Sequence, residues 1–120
     1  DSYEIRQAGA NQVLVSSNRL MALMEVQLDD IQEPLLADLI PRLNCTNIDI
    51  ILVEGFKHET MPKIELHRPS LGKPLLYPND NTIIAIASDD ALTTDIEQLN
   101  LNNIDEIADY IQQFIIKRTA

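Results

Sequence analysis

Two short apolar runs constrain this chain more than anything else in it: Ile-Asp-Ile-Ile-Leu-Val at 48–53 and Ile-Ile-Ala-Ile-Ala at 83–87. Both are nearly continuous rather than alternating and rich in β-branched residues, which is the pattern of strands buried on both faces. Gln-Val-Leu-Val at 12–15 is a weaker third strand. At 63–68, Ile64 and Leu66 alternate with Glu65 and His67, which predicts a half-exposed or edge strand with one buried, apolar face.

Helical signals fall between these runs. Asn102 or Asn103 as N-cap, Asp105 and Glu106 in the first turn, and Lys117 with Arg118 at the end predict a terminal helix. Its apolar face is Ile104, Ile107, Ala108, Ile111, Phe114 and Ile115. A second helix is expected over 33–43, with Pro34 in its first turn and Pro41 breaking or kinking it. A short one over 2–8 ends at Gly9 as a left-handed cap. Strands alternating with helices imply an α/β fold with a largely parallel sheet, and 120 residues fit one domain, 1–120.

Charge narrows the function. Nine Lys and Arg against 19 Asp and Glu leave a net charge of -10, which repels phosphodiester backbone and anionic lipid, so the expected partners include neither nucleic acid nor membrane. Residues 57–73 depart from this, with four basic side chains (Lys57, Lys63, Arg68, Lys73) against two acidic ones, and they contain both histidines. The stretch is either a solvated loop or the part of the chain that meets an anion. One cysteine allows neither an intrachain disulfide nor a cysteine zinc site, and Cys45, ahead of an apolar run, reads as a small buried hydrophobe. No apolar run approaches the roughly 20 residues that span a bilayer. The expected location is the cytoplasm.

In open α/β sheets ligands bind beyond the carboxyl ends of the strands. The run at 48–53 leads into Glu54-Gly55-Phe56-Lys57-His58, where Glu54 is placed to hold Mg²⁺ and Gly55 to let backbone approach a phosphate; a carboxylate capping a neighbouring loop is the plainer use. The run at 83–87 leads into Ser88-Asp89-Asp90, where a carboxylate accepts the paired N–H donors of a guanine edge or else caps a turn. Other signatures close doors. With glycine only at 9, 55 and 72, neither a dinucleotide fingerprint nor a phosphate-binding loop can be written. His58-Glu59 lacks a second histidine four residues on, so a zincin is excluded, and His58 and His67 read as surface or hydrogen-bonding residues rather than a metal pair. Leu20, Met21, Leu23 and Met24 suit a promiscuous binding surface or, the preferred reading, core packing.

Three stretches together resemble the MobB family of molybdopterin-guanine dinucleotide biosynthesis adaptors: residues 1–10, the Asp-Ile-Ile-Leu-Val-Glu-Gly-Phe-Lys string at 49–57, and Ile-Ala-Ile-Ala-Ser-Asp at 84–89. Leu-Val-Glu-Gly-Phe-Lys is the most specific of them. The resemblance implies a P-loop-NTPase-like three-layer domain that binds GTP with Mg²⁺, hydrolyses it weakly at most, and works beside a MobA-type guanylyltransferase on the molybdopterin cofactor precursor. By the family pattern Glu54 and Gly55 sit at the Walker-B-like strand end, with Glu54 the candidate Mg²⁺ ligand, and Asp89 lies near the base. Relatives begin with a strand, a Walker A loop and a helix ahead of the segment that here starts at Asp1, which implies a C-terminal portion of such a protein or a shortened relative. The candidate nucleotide-binding residues are Glu54, Gly55, Lys57 and Asp89, with Lys63, His67 and Arg68 as anion contacts. Residues 60–78 are the candidate dimerisation arm of a homodimer. Two other readings stand beside this one: a noncatalytic interaction module, and a metal-delivery GTPase of the nickel-chaperone type, against which the chain lacks a His-rich or Cys-rich tract.

Overall fold

The computed structural model describes residues 1–27 and 33–119. The chain divides into two compact units, 1–52 and 53–120.

In the first unit, helix α1 (Ser2–Gln7) starts where the Asp1 carboxylate accepts the N–H groups of Tyr3 and Glu4, and it gives way at Gly9, whose φ of 106° suits glycine. Strands β1 (Gln12–Ser16) and β2 (Met21–Glu25) follow as an antiparallel hairpin pairing Gln12 with Glu25 and Ser16 with Met21. Its turn is closed by the Ser17 N–H donating to the Leu20 carbonyl at 2.7 Å. Only Val13 of the hairpin is buried. The expectation that Leu20, Met21, Leu23 and Met24 pack in a core is therefore corrected: the first three are exposed, and half-buried Met24 takes an Arg6 N–H on its sulfur at 3.9 Å. A two-stranded ribbon gives each side chain neighbours on one side only.

The helix expected over 33–43 is shorter. Helix α2 spans Leu36–Leu39 and tightens into a 3-10 turn, Ile40–Arg42, because proline at 41 removes a backbone donor. Pro34 lies ahead of it rather than in its first turn. Cys45 is exposed, not buried, its thiol donating to the Leu43 carbonyl at 3.6 Å. The run at 48–53 is not a strand. Ile48, Ile50 and Leu52 are exposed, and none of the described strands pairs with it. An apolar run becomes a strand only where neighbouring backbone completes its ladder, and this one straddles the boundary between the two units.

The second unit is a three-stranded parallel sheet with a helix on one face, so the α/β expectation with a parallel sheet holds here. Strands β3 (Lys63–His67), β4 (Ile83–Ser88) and β5 (Glu97–Asn100) lie in the order β3-β4-β5. The expected edge strand is β3. Its register sets Ile64 beside Ala85, Leu66 beside Ala87 and His67 beside Ser88, and β4 in turn sets Ala87 beside Leu99. Alternation along the strands gives two different faces. On one, Ala85, Ala87 and Leu99 form a core against which Ile64, Leu101, Ile107 and Tyr110 pack. The last two come from helix α3 (Ile104–Thr119), whose Asn103 N-cap accepts the Glu106 N–H at 3.2 Å. The other face carries fully buried Ile86, with Glu65, His67 and Ser88.

That second face overturns the predicted polarity of β3. Glu65 and His67 are 7% and 8% exposed while Leu66 is 70% exposed. Burying a carboxylate is tolerable because Glu65 accepts two backbone N–H groups, from Leu76 at 2.8 Å and Tyr77 at 3.0 Å. The segment that leaves β3 is thereby folded back over this face. Ile64, by contrast, packs against the Ala85, Ala87 and Leu99 core.

Candidate carboxyl-edge site

Parallel strands deliver their carboxyl ends to one edge of the sheet, and here that edge carries His67 and Arg68 from β3, Ser88, Asp89 and Asp90 from β4, and Asn100 from β5. The Arg68 guanidinium donates to Asp89 Oδ2 at 2.7 Å. The other carboxylate oxygen, Oδ1, is buried and has no hydrogen-bond partner among the described residues. The loop beyond is held by Gln98, which donates to the Asp90 carbonyl and accepts the Leu92 N–H, while Ser88 Oγ accepts the Asp90 N–H at 3.3 Å. This edge is therefore a braced loop with one uncommitted acceptor, the kind of group a polar N–H ligand satisfies.

The amino-terminal end of the same sheet is a separate place. Lys63 and Thr82, at the starts of β3 and beside β4, line an open cavity of about 440 Å³ with Lys57, His58, Glu59 and Asp80. Lys63 Nζ is ion-paired with Asp80 at 3.0 Å and donates to Thr82 Oγ1 at 2.9 Å. Donation from the Thr82 hydroxyl, then from Lys63, then from the Thr82 backbone, holds the Asp80 carboxyl down at about 2. Five strand residues at roughly 3.3 Å each part the two ends. The three expected anion contacts are thus not one cluster: Lys63 sits at the amino end, His67 and Arg68 at the carboxyl end. Each of the two permanent cations is already met by a carboxylate.

Glu54 is exposed and makes no hydrogen bond or ion pair among the described residues. Gly55 and Phe56 follow it with φ of 81° and 49°, two successive left-handed residues that turn the chain before Lys57. No group of three or more His, Cys, Asp or Glu side chains that would hold a metal lies among the described residues. The sequence did not reveal Glu65, Asp80 or Tyr110 as organising residues. For Asp80 a signal existed in Asp-Asn-Thr at 80–82, the Asx-turn pattern in which a carboxylate takes a backbone N–H two residues on.

Residues 1–89, which end on this same Asp89, match the family described as molybdopterin guanine dinucleotide synthesis protein B. The chain belongs to that family. A molybdopterin-guanine dinucleotide biosynthesis adapter protein of Escherichia coli (strain K12) is 40% identical over 121 residues, covering 100% of this chain and 69% of its own length. The same-named protein of Haemophilus influenzae (strain ATCC 51907 / DSM 11121 / KW20 / Rd) is 36% identical over 116 residues, covering 96% of this chain and 62% of its own length. The chain thus spans about two thirds of the length of these MobB relatives. Helix α3 and strand β5 lie beyond the family match, which ends at the carboxyl end of β4. No helix among the described residues is long and apolar enough to cross a membrane.

Proposed function

We propose that this chain is the base-reading part of an adapter in molybdopterin guanine dinucleotide biosynthesis, in which Asp89 accepts hydrogen bonds from guanine. The observation that carries this is the buried, unpartnered Asp89 Oδ1 at the carboxyl end of a parallel strand. Guanine presents an N1–H and a 2-amino group side by side, and adenine presents no such pair. Family membership and the names of the relatives supply the biosynthetic context. In the complete protein, a P-loop-NTPase-like arrangement would supply the phosphate contacts that these 120 residues, without a glycine-rich loop, do not contain. The adapter would then offer GTP, hydrolysed weakly at most, to a MobA-type guanylyltransferase with the molybdopterin precursor. Mg²⁺ would be held there with the nucleotide phosphates, Glu54 being the candidate ligand from this chain.

Titration calorimetry on the full-length protein tests this. Asp89→Asn is expected to weaken Mg-GTP by about 1–3 kcal/mol, the usual cost of mismatching a buried polar pair, and to leave Mg-ATP nearly unchanged. Equal losses for both nucleotides make Asp89 a structural cap instead.

A second reading concerns association. Strand β3 is a sheet edge with no partner on its outer side among the described residues, and Leu66 is exposed there. We propose that the 60–78 segment carries a two-fold homodimer contact.

A further inference from the structure

We infer that Arg68 is a positioning residue for Asp89, selecting which carboxylate oxygen faces the base and thereby setting the preference for guanine; this rests on the reading of Asp89 as the base acceptor. The parallel register places His67 beside Ser88, so the next residues, Arg68 and Asp89, leave neighbouring strands in phase and on the same side. Pro69 restricts Arg68 to extended backbone, observed at φ -120° and ψ 105°, and the Leu71 N–H donates to the Arg68 carbonyl at 3.0 Å. The backbone that launches the guanidinium is therefore held on both sides.

A carboxylate free to turn about its last bond offers either oxygen, and its acceptor directions are smeared. Here the 2.7 Å bond to Arg68 occupies Oδ2 and leaves Oδ1 as the buried oxygen without a hydrogen-bond partner. The Asp89 side chain is 21% exposed and that of Arg68 is 50% exposed. So the pinned acceptor is enclosed, while the group that pins it reaches solvent. A half-exposed guanidinium contributes little to folding. Pairing also neutralises the Asp89 charge, which lowers the repulsion a polyphosphate ligand would meet at this edge.

Calorimetric titration of full-length protein with Mg-GTP, Mg-ATP and Mg-XTP, with thermal unfolding alongside, tests the inference. Arg68→Ala is expected to lower the GTP-over-ATP affinity ratio about tenfold with an unchanged unfolding midpoint, because the carboxylate is no longer held in one orientation. Arg68→Lys is expected to restore part of the ratio, since an ammonium still pairs with Oδ2 but lacks the planar fork. Arg68→Gln removes the charge but keeps a shorter polar side chain, and reports the same loss should the alanine variant fold poorly. Asp89→Asn is expected to move preference from GTP toward XTP, whose 2-oxo group accepts from a carboxamide. If Asp89→Asn alters base preference while Arg68→Ala and Arg68→Gln keep the wild-type ratio, the positioning role is overturned and Asp89 remains the acceptor. If Asp89→Asn leaves base preference unchanged, the underlying reading of Asp89 falls, and this inference with it.

Discussion

Lys63 Nζ and Asp80 Oδ2 meet at 3.0 Å across the amino end of the parallel sheet, and Thr82 completes the triangle through its hydroxyl and its backbone N–H. The Thr82 hydroxyl first, and Lys63 next, stabilise the ionised carboxyl, holding it at about 2 against an ordinary 3.8. The folded carboxyl thus binds a proton less readily than the unfolded one. Its stabilisation is complete above about pH 4 and is withdrawn as pH falls through 2. Between those values Asp80→Asn is expected to lose stability with pH less steeply than wild type. Urea unfolding followed by circular dichroism at half-unit pH steps reads the difference between the two slopes.

Glu65 spends its carboxylate on the N–H groups of Leu76 and Tyr77. Glu65→Gln keeps one acceptor oxygen and turns an amino group toward the other N–H, leaving it unmatched. A loss of about 1–3 kcal/mol is expected. Hydrogen exchange should quicken at residues 76 and 77 before the sheet itself, and a variant with wild-type exchange there would show that the segment is held by other contacts.

The Tyr110 hydroxyl donates to the Ile84 carbonyl at 3.2 Å, joining helix α3 to the central strand. Burial, and then the charge of Glu97, push its ionisation upward. Tyr110→Phe preserves the ring against the core and deletes this bond, so an expected cost of about 0.5–1.5 kcal/mol measures it directly. Spectrophotometric titration should find two of the three tyrosines, Tyr77 and Tyr110, ionising above the ordinary range in wild type, and only the Tyr77 component should remain in the variant.

For the proposed homodimer, the structure separates the two apolar residues of β3. Ile64 packs against the core, so a charge there damages the fold, whereas Leu66 is exposed and its replacement tests the surface alone. Leu66→Glu is expected to convert a dimer to a 13.5 kDa monomer in light scattering across a dilution series, with unchanged circular dichroism. A dimer indifferent to this change places its interface elsewhere.

What could be read from the chain follows from how far each signal reaches. The caps of α3, the left-handed Gly9, the strand at 83–88 and the edge strand at 63–67 all rest on local patterns a few residues long. Strands β2 and β5 carried no such pattern. Met-Ala-Leu-Met-Glu lacks β-branched residues, and Glu-Gln-Leu-Asn has a lone apolar residue, so only pairing with β1 and β4 makes strands of them. The run at 48–53 failed in the opposite sense, with strong intrinsic preference and no ladder.

For the candidate site, residue types were legible and their grouping was not. Arg68 and Asp89 were each candidates on charge and on position after an apolar run, yet they lie 21 residues apart, and only the register His67 to Ser88 makes them neighbours. The same register sends Lys63 to the far end of the strand from Arg68, although both belong to one basic stretch. By itself the sequence determined the acidic charge, the parallel α/β character and the family, because composition, short-range periodicity and motif strings are properties of the chain. Which side of β3 is buried, which cation meets which carboxylate, and which oxygen of Asp89 is left without a partner were decided by tertiary structure alone, since each depends on partners that strand pairing brings together from distant positions.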